Sequence, residues 1–300
     1  MDKIWLKSYM EGVPAEIDLN TYSSLADLFE QGIAKYRDKV AYVSMGIELT
    51  YADVDRLSRD FAAWLQSVVK LPKGARVALM MPNTLQYPVC MFGVLRAGYV
   101  VVNVNPLYTP RELEHQLKDS GADVIVIMEN FAATLEEVLD RTPVKHVVLT
   151  KMGDMLGGLK GGIVNFVVKY VKKLVPHYSL PKAVSLNAVL SKGAGAEFKK
   201  VEITQEDLAF LQYTGGTTGV SKGAMLTHRN IVGNVLQAYA WIKPAIAEGK
   251  ECIITALPLY HIFALTANCF TFFQIGAKNV LIANPRDIPG FVAEMGKHQF

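Results

Sequence analysis

Three hundred residues, 51% hydrophobic and 20% charged, supply the apolar material for a soluble globular core and exclude a disordered or low-complexity chain. Thirty-one lysines and arginines against 28 acids leave a net charge of only +3, too small an excess for a protein built around nucleic acid. Cys90, Cys252 and Cys269 are odd in number and none stands in a CxxC pair, so neither a disulfide framework nor a zinc site is indicated, and a reducing cytosol fits.

The chain opens Met-Asp-Lys-Ile-Trp-Leu-Lys, with charges where a secretory leader needs an apolar run. From there, short β-branched runs recur at residues 40–43, 77–80, 99–104, 123–127, 146–149, 209–213, 252–255 and 279–282, with helical stretches between them. That alternation predicts an α/β fold of mostly parallel sheets flanked by helices. One helix starts at Thr50, with Asp53 three residues on. Another is framed by Thr109 as N-cap, Pro110 at its first position, Glu112 completing the cap and Gly121 as its stop.

Residues 155–181 interrupt this rhythm and read as an insertion, glycine-rich at the start and closed by Pro176 and Pro181. Ile163, Phe166, Val167, Tyr170, Val171 and Leu174 follow the spacing of one helix face, while Lys169, Lys172 and Lys173 fall off it. Residues 155–196 contain six lysines and no acid, a local charge of +6 that leaves the rest of the chain at −3. Such a segment suits an anionic membrane surface as well as it suits packing on the domain's own flank. Farther on, Gly193-Ala-Gly-Ala-Glu-Phe lacks the third glycine of a dinucleotide fingerprint and reads as a loop.

Between Glu251 and Lys278 no charged residue occurs, but Pro258, His261, Asn268 and Gln274 favour a buried strand, a turn and a helix over a membrane span. The last predicted helix begins near Asp287, and the chain reaches Phe300 where the rhythm calls for another strand. The expectation is a domain cut before its end.

The densest chemical signal is Tyr213, Thr214, Gly215, Gly216, Thr217, Thr218, Gly219, Val220, Ser221, Lys222 and Gly223. Three glycines admit backbone amides close to an anion, four hydroxyls add donors and Lys222 adds positive charge, which together suit a triphosphate. No glycine directly precedes Lys222, so the run is a phosphate loop outside the Walker class. His228 and Arg229 follow at the start of a helix, either as phosphate anchors or as a helix-start surface.

From Thr214 to Asn230 the sequence resembles the phosphate-binding signature of the adenylate-forming superfamily, which includes acyl-CoA synthetases, luciferases and peptide-synthetase adenylation domains. Leu95-Arg-Ala-Gly-Tyr-Val-Val-Val-Asn-Val-Asn-Pro and Leu257-Pro-Leu-Tyr-His-Ile-Phe-Ala-Leu are similar to two further core motifs of that superfamily, in the same order. The Gly215-Gly216 pair and Pro-Leu-Tyr-His-Ile-Phe most resemble bacterial long-chain fatty-acid CoA ligases.

The resemblance implies the large N-terminal domain of an adenylate-forming enzyme. Its substrates would be fatty acid, ATP and coenzyme A, with Mg2+, and it would form an acyl-adenylate and then acyl-CoA. Residues 213–223 would hold the ATP phosphates, and His261 and Tyr260 would border the acyl and adenylate pocket. The superfamily's adenine motif, ribose aspartate, magnesium glutamate and C-terminal domain match nothing in these 300 residues, so the chain is expected to be an incomplete domain, inactive alone. Two alternatives stand beside this reading: another acyl- or aryl-CoA ligase, or a non-catalytic acyl-binding or peripheral membrane module. The expected location is cytoplasmic, with Lys169, Lys172 and Lys173 as a patch for the inner face of the membrane. Chain-length preference and oligomeric state are not legible.

Overall fold

In a computed structural model, which describes residues 3–214 and 220–300, the chain forms two sheets with helices between and around them. The strands in chain order are β1 (Val40–Ser44), β2 (Ile47–Thr50), β3 (Arg76–Met80), β4 (Val100–Asn103), β5 (Val124–Met128), β6 (His146–Thr150), β7 (Val184–Ser185), β8 (Leu208–Thr214), β9 (Lys222–Thr227), β10 (Cys252–Thr255) and β11 (Lys278–Leu281). The larger sheet has the order β7-β6-β5-β3-β4-β8-β9 and the smaller β10-β11-β1-β2. Every pairing is parallel except β1 with β2 and β8 with β9.

All eight β-branched runs are strands, and the composition explains which are central. Val-Ile-Val-Ile-Met of β5 is buried at every residue because helices cover both faces, so no polar alternation is needed. The strands missed from sequence are β2, β7 and β9: β7 is only two residues long, and Lys222–Thr227 is too polar and exposed to read as a strand. Cys252–Thr255 was expected to be buried, but β10 lies at the edge of its sheet and only Thr255 is fully covered.

The helix predictions hold at their ends. Thr50 with Asp53 and Thr109 with Glu112 both close capping boxes, and Gly121 takes the left-handed φ of +63° that an L side chain resists. Between the sheets, the helices Leu25–Tyr36, Tyr51–Ala63 and Gln86–Arg96 meet in an aromatic core. Phe29 and Phe92 are 4.3 Å apart there, and Tyr51 and Phe273 4.5 Å. One prediction holds only in part: Gly193 and Ala194 end the helix Leu186–Ala194, and the loop begins at Gly195. A Cβ at Gly193 would lie 1.8 Å from the Asp60 carbonyl, so this glycine serves a close backbone approach.

The insertion also departs from expectation. Its helix, Gly158–Phe166, continues through a wide π-type turn, Val167–Val171, and ends before Lys173, whose φ is +51°. Leu174 therefore lies outside the helix, and its carbonyl accepts from Asn130 Nδ2 at 2.9 Å. Ile163, Phe166, Tyr170 and Val171 do not pack on the domain; Phe166 is 58% and Tyr170 61% exposed, and Leu159 is 84% exposed. Among the described residues no helix is long and apolar enough to cross a membrane.

Candidate functional site

From β3 the larger sheet extends to β4 on one side and to β5 on the other, so its topological switch lies at the carboxyl ends of these strands, where open α/β sheets bind ligands. A cleft of about 320 Å³ stands there, bounded by Asn83 after β3, Leu107 after β4 and Phe131 after β5. Pro258, Tyr260 and Arg286 close it from the smaller sheet. Its walls are mainly apolar, as a small-molecule site requires. Burial pushes the Tyr260 phenol above its usual range, against the opposing pull of the Arg286 charge.

Next to β4, strand β8 runs to the same end of the sheet and turns back as β9. The two pair antiparallel from Leu208 opposite Thr227 to Tyr213 opposite Gly223 and Thr214 opposite Lys222. The glycine- and hydroxyl-rich run thus begins on β8 and ends on β9, with residues 215–221 lying between the two strands in sequence. Thr214, Val220 and Lys222 are exposed and Tyr213, Ser221 and Gly223 half-buried. Gly215, Gly216, Thr217, Thr218 and Gly219 lie outside the described residues. The sequence placed this run directly before a helix; β9 intervenes.

A buried polar chain ties the hairpin to the turn that carries Tyr260 and His261. Gln212 Nε2 donates to the Tyr260 carbonyl at 2.9 Å and its Oε1 accepts from Asn103 Nδ2 at 3.1 Å. The Tyr87 hydroxyl is shared between Asn103 Oδ1 at 2.7 Å and the Leu259 carbonyl at 3.0 Å. Asn83 donates to the Thr255 and Leu257 carbonyls and accepts the Leu259 N–H at 2.8 Å. The helix Pro110–Ser120 adds two contacts, Tyr213 hydroxyl to Asp119 Oδ2 at 2.6 Å and His115 Nε2 to the Ser221 carbonyl at 2.9 Å.

Of this network, Tyr213, Ser221 and Tyr260 were expected at the site and Asn103, Leu257 and Leu259 lie within quoted motifs, whereas Asn83, Tyr87, His115, Asp119 and Gln212 were not singled out as site residues. Isolated amides and a lone histidine carry no signal until the fold brings them together.

Among the sequence-predicted residues, Tyr260 lines the cleft, whereas His261 is exposed beside it, at the residue before the short helix Ile262–Ala264 and with no side-chain hydrogen bond to it. His228 is not a surface residue or a phosphate anchor: it is buried, and its Nδ1 accepts the Leu25 N–H at 3.1 Å. Arg229 instead donates to Gln205 Oε1 on the exposed face. Lys169 is half-buried and Lys172 and Lys173 are exposed, all on the insertion and none at the cleft. Among the described residues no three His, Cys, Asp or Glu side chains converge on a metal position.

The architecture is that of the N-terminal domain of adenylate-forming enzymes. Residues 29–300 match the family described as AMP-binding enzyme, and the chain belongs to it. It is 59% identical over all 300 residues to a long-chain-fatty-acid CoA ligase of Escherichia coli O157:H7, of which it covers 54%. It is 33% identical over 284 residues, 93% of the chain, to the ligase of that name from Bacillus subtilis strain 168, covering 50% of it.

Among solved structures, a long-chain-fatty-acid CoA ligase from Archaeoglobus fulgidus superposes over 96% of this chain and 52% of its own length, with a TM-score of 0.75 at 24% identity. The anthranilate CoA ligase AuaEII gives 0.75 over 93% of this chain and 50% of its own, at 18% identity. These two structures bear on the fold. The chain spans about half the length of the curated relatives it matches.

Proposed function

We propose that the chain is the N-terminal part of a long-chain fatty-acid CoA ligase, a domain completed by further sequence and inactive alone. The observation that carries this reading is the antiparallel β8–β9 pair that flanks residues 215–221, together with the apolar cleft at the switch of the same sheet. The 59% identity to ligases of that name supports the substrate class.

In this reading a fatty carboxylate oxygen attacks the α-phosphorus of ATP. The new P–O bond gives the acyl-adenylate as the bond to pyrophosphate breaks. The sulfur of coenzyme A then attacks the acyl carbon, its thiol proton is lost, and AMP leaves with the electrons of the cleaved C–O bond. Residues 213–223 are assigned to the ATP phosphates by the resemblance, and in this reading the positive charge of Lys222, with the hydroxyls and amides of the run, offsets the charge that grows on the departing pyrophosphate. Tyr260 and His261 border the acyl and adenylate groups. The described residues do not supply a cluster for the Mg2+ that the resemblance implies, and no step is assigned to it.

The insertion completes the picture. Its uncovered apolar side chains and the adjacent Lys169, Lys172 and Lys173 suit an anionic bilayer, where apolar area and lysines near the surface both favour binding. The protein would then work from the cytoplasm on the inner face of the membrane, where fatty acids partition.

The phosphate assignment is tested in the complete ligase with Lys222→Ala and with the pair Thr217→Ala and Thr218→Ala. Removing one such donor lowers an acyl-transfer rate by about a hundredfold. Wild-type adenylation in both variants would refute the assignment.

A further inference from the structure

The insertion is fixed to the domain along one side only. Gly161 is buried, and a Cβ there would lie 2.3 Å from the Gly153 carbonyl, so the helix Gly158–Phe166 rests directly on backbone. Asn165 Oδ1 accepts the Gly153 N–H at 2.7 Å, and Val164 packs on the main core. Lys160 Nζ reaches the Met45 carbonyl in the turn between β1 and β2, and beyond the helix the Leu174 carbonyl is held by Asn130. With Gly161, Val164 and Asn165 turned inward, the helical period turns Leu159, Ile163, Phe166 and Tyr170 outward, where each is exposed.

These anchors reach the wall of the cleft at the switch of the larger sheet. Asn130 lines it, and so does Met152, the residue before Gly153. The outward apolar stripe and the cleft therefore share one mount.

We propose that the insertion is a docking shoulder that seats this side of the molecule on an anionic bilayer and brings the cleft rim to its surface, so that a long-chain fatty acid passes from the bilayer into the cleft without entering bulk water. The proposal rests on the readings of the cleft and of the insertion given above and adds the route between them. An anionic bilayer is the occupant because residues 155–196 carry six lysines and no acid, beside apolar side chains that a water-facing helix does not need. Each methylene of a fatty acid favours the bilayer over water, so leaving through water is the costly step for a long chain. A helix fixed beside the cleft removes that step.

The test compares two substrates in the complete ligase, palmitate carried in phosphatidylglycerol vesicles and octanoate free in solution, with vesicle sedimentation measured alongside. Phe166→Ser with Tyr170→Ser strips apolar area from the outward face. Gly161→Ala keeps the stripe and the lysines but lifts the helix off Gly153. The stripe variant should no longer sediment with vesicles and should lose about tenfold in kcat/KM for vesicle palmitate, a low value for two apolar side chains withdrawn from lipid. Gly161→Ala should still sediment yet lose a similar factor with vesicle palmitate. Both should keep wild-type kcat/KM for octanoate.

If Gly161→Ala sediments and uses vesicle palmitate as the wild type does, the route is wrong and the membrane reading stands. If the wild type does not sediment, both fall. A stripe variant that still sediments and uses vesicle palmitate normally, or a wild-type dimer that the stripe substitutions dissociate, would show that the stripe is not the lipid contact and overturn the proposal. An equal loss with octanoate would place the effect in the ligase chemistry and overturn the route. If neither substrate is turned over, the ligase reading falls and the route with it. Should Gly161→Ala fail to fold, Asn165→Ala, which loses the bond to the Gly153 N–H, is judged by the same outcomes.

Discussion

The imidazole of His228 accepts the backbone N–H of Leu25, joining the first turns of two helices that are 203 residues apart in sequence. Burial holds the ring neutral, and its pKa falls to about 4. The unfolded chain binds this proton near pH 6.5, so the folded state is favoured fully above that pH and loses stability as pH falls toward 4. Relative to His228→Gln, which has no titrating ring, the wild type should lose about 3 kcal/mol more between pH 7 and pH 4. Urea denaturation at both pH values measures this, and equal losses would remove His228 as the cause.

Breaking the polar chain under the hairpin should cost more than trimming it. Gln212→Leu leaves Asn103 Nδ2 and the Tyr260 carbonyl buried without their partner, a loss of about 2 kcal/mol. Tyr87→Phe removes one shared hydroxyl and should cost about 1 kcal/mol. Chemical denaturation gives both values; the reverse order would mean that the chain does not bear on Gln212.

Gly223→Ala tests the space that the Tyr213 ring occupies. The added methyl must push the ring away, and the ring tip is the part that bonds Asp119. KM for ATP should rise, with little change in melting temperature. An unchanged KM would show that the ring can shift without freeing the hairpin.

The elements whose chemistry is local were legible in the sequence. Thr109, Pro110, Glu112 and Gly121 define a helix because each satisfies or terminates backbone groups within its own turn. The glycines, hydroxyls and lysine of 213–223 raise the expectation of a phosphate loop in the same local way, and the Lys222 variant tests it. What stayed hidden depends on distant partners: β9 is a strand because β8 pairs with it, and His228 is buried because Leu25 comes to it. The insertion lies between these cases. Its stripe was readable, but whether Phe166 and Tyr170 pack inward or stay uncovered is decided by what lies opposite them in the fold.

That uncovered stripe makes a direct prediction. Wild-type protein should sediment with phosphatidylglycerol vesicles, and the variant with Lys169, Lys172 and Lys173 each changed to Glu should stay in the supernatant, because each lysine near the surface contributes about 1 kcal/mol. Equal sedimentation of the two would exclude these lysines as the membrane contact.

The substrate class is the central claim, and ATP-dependent pyrophosphate release by the complete ligase tests it most directly, with palmitate, benzoate and acetate supplied in turn with coenzyme A. The account predicts that kcat/KM is highest for palmitate and that palmitoyl-CoA accumulates in step with pyrophosphate. A preference for benzoate or acetate, or no pyrophosphate release with any of the three, would contradict it.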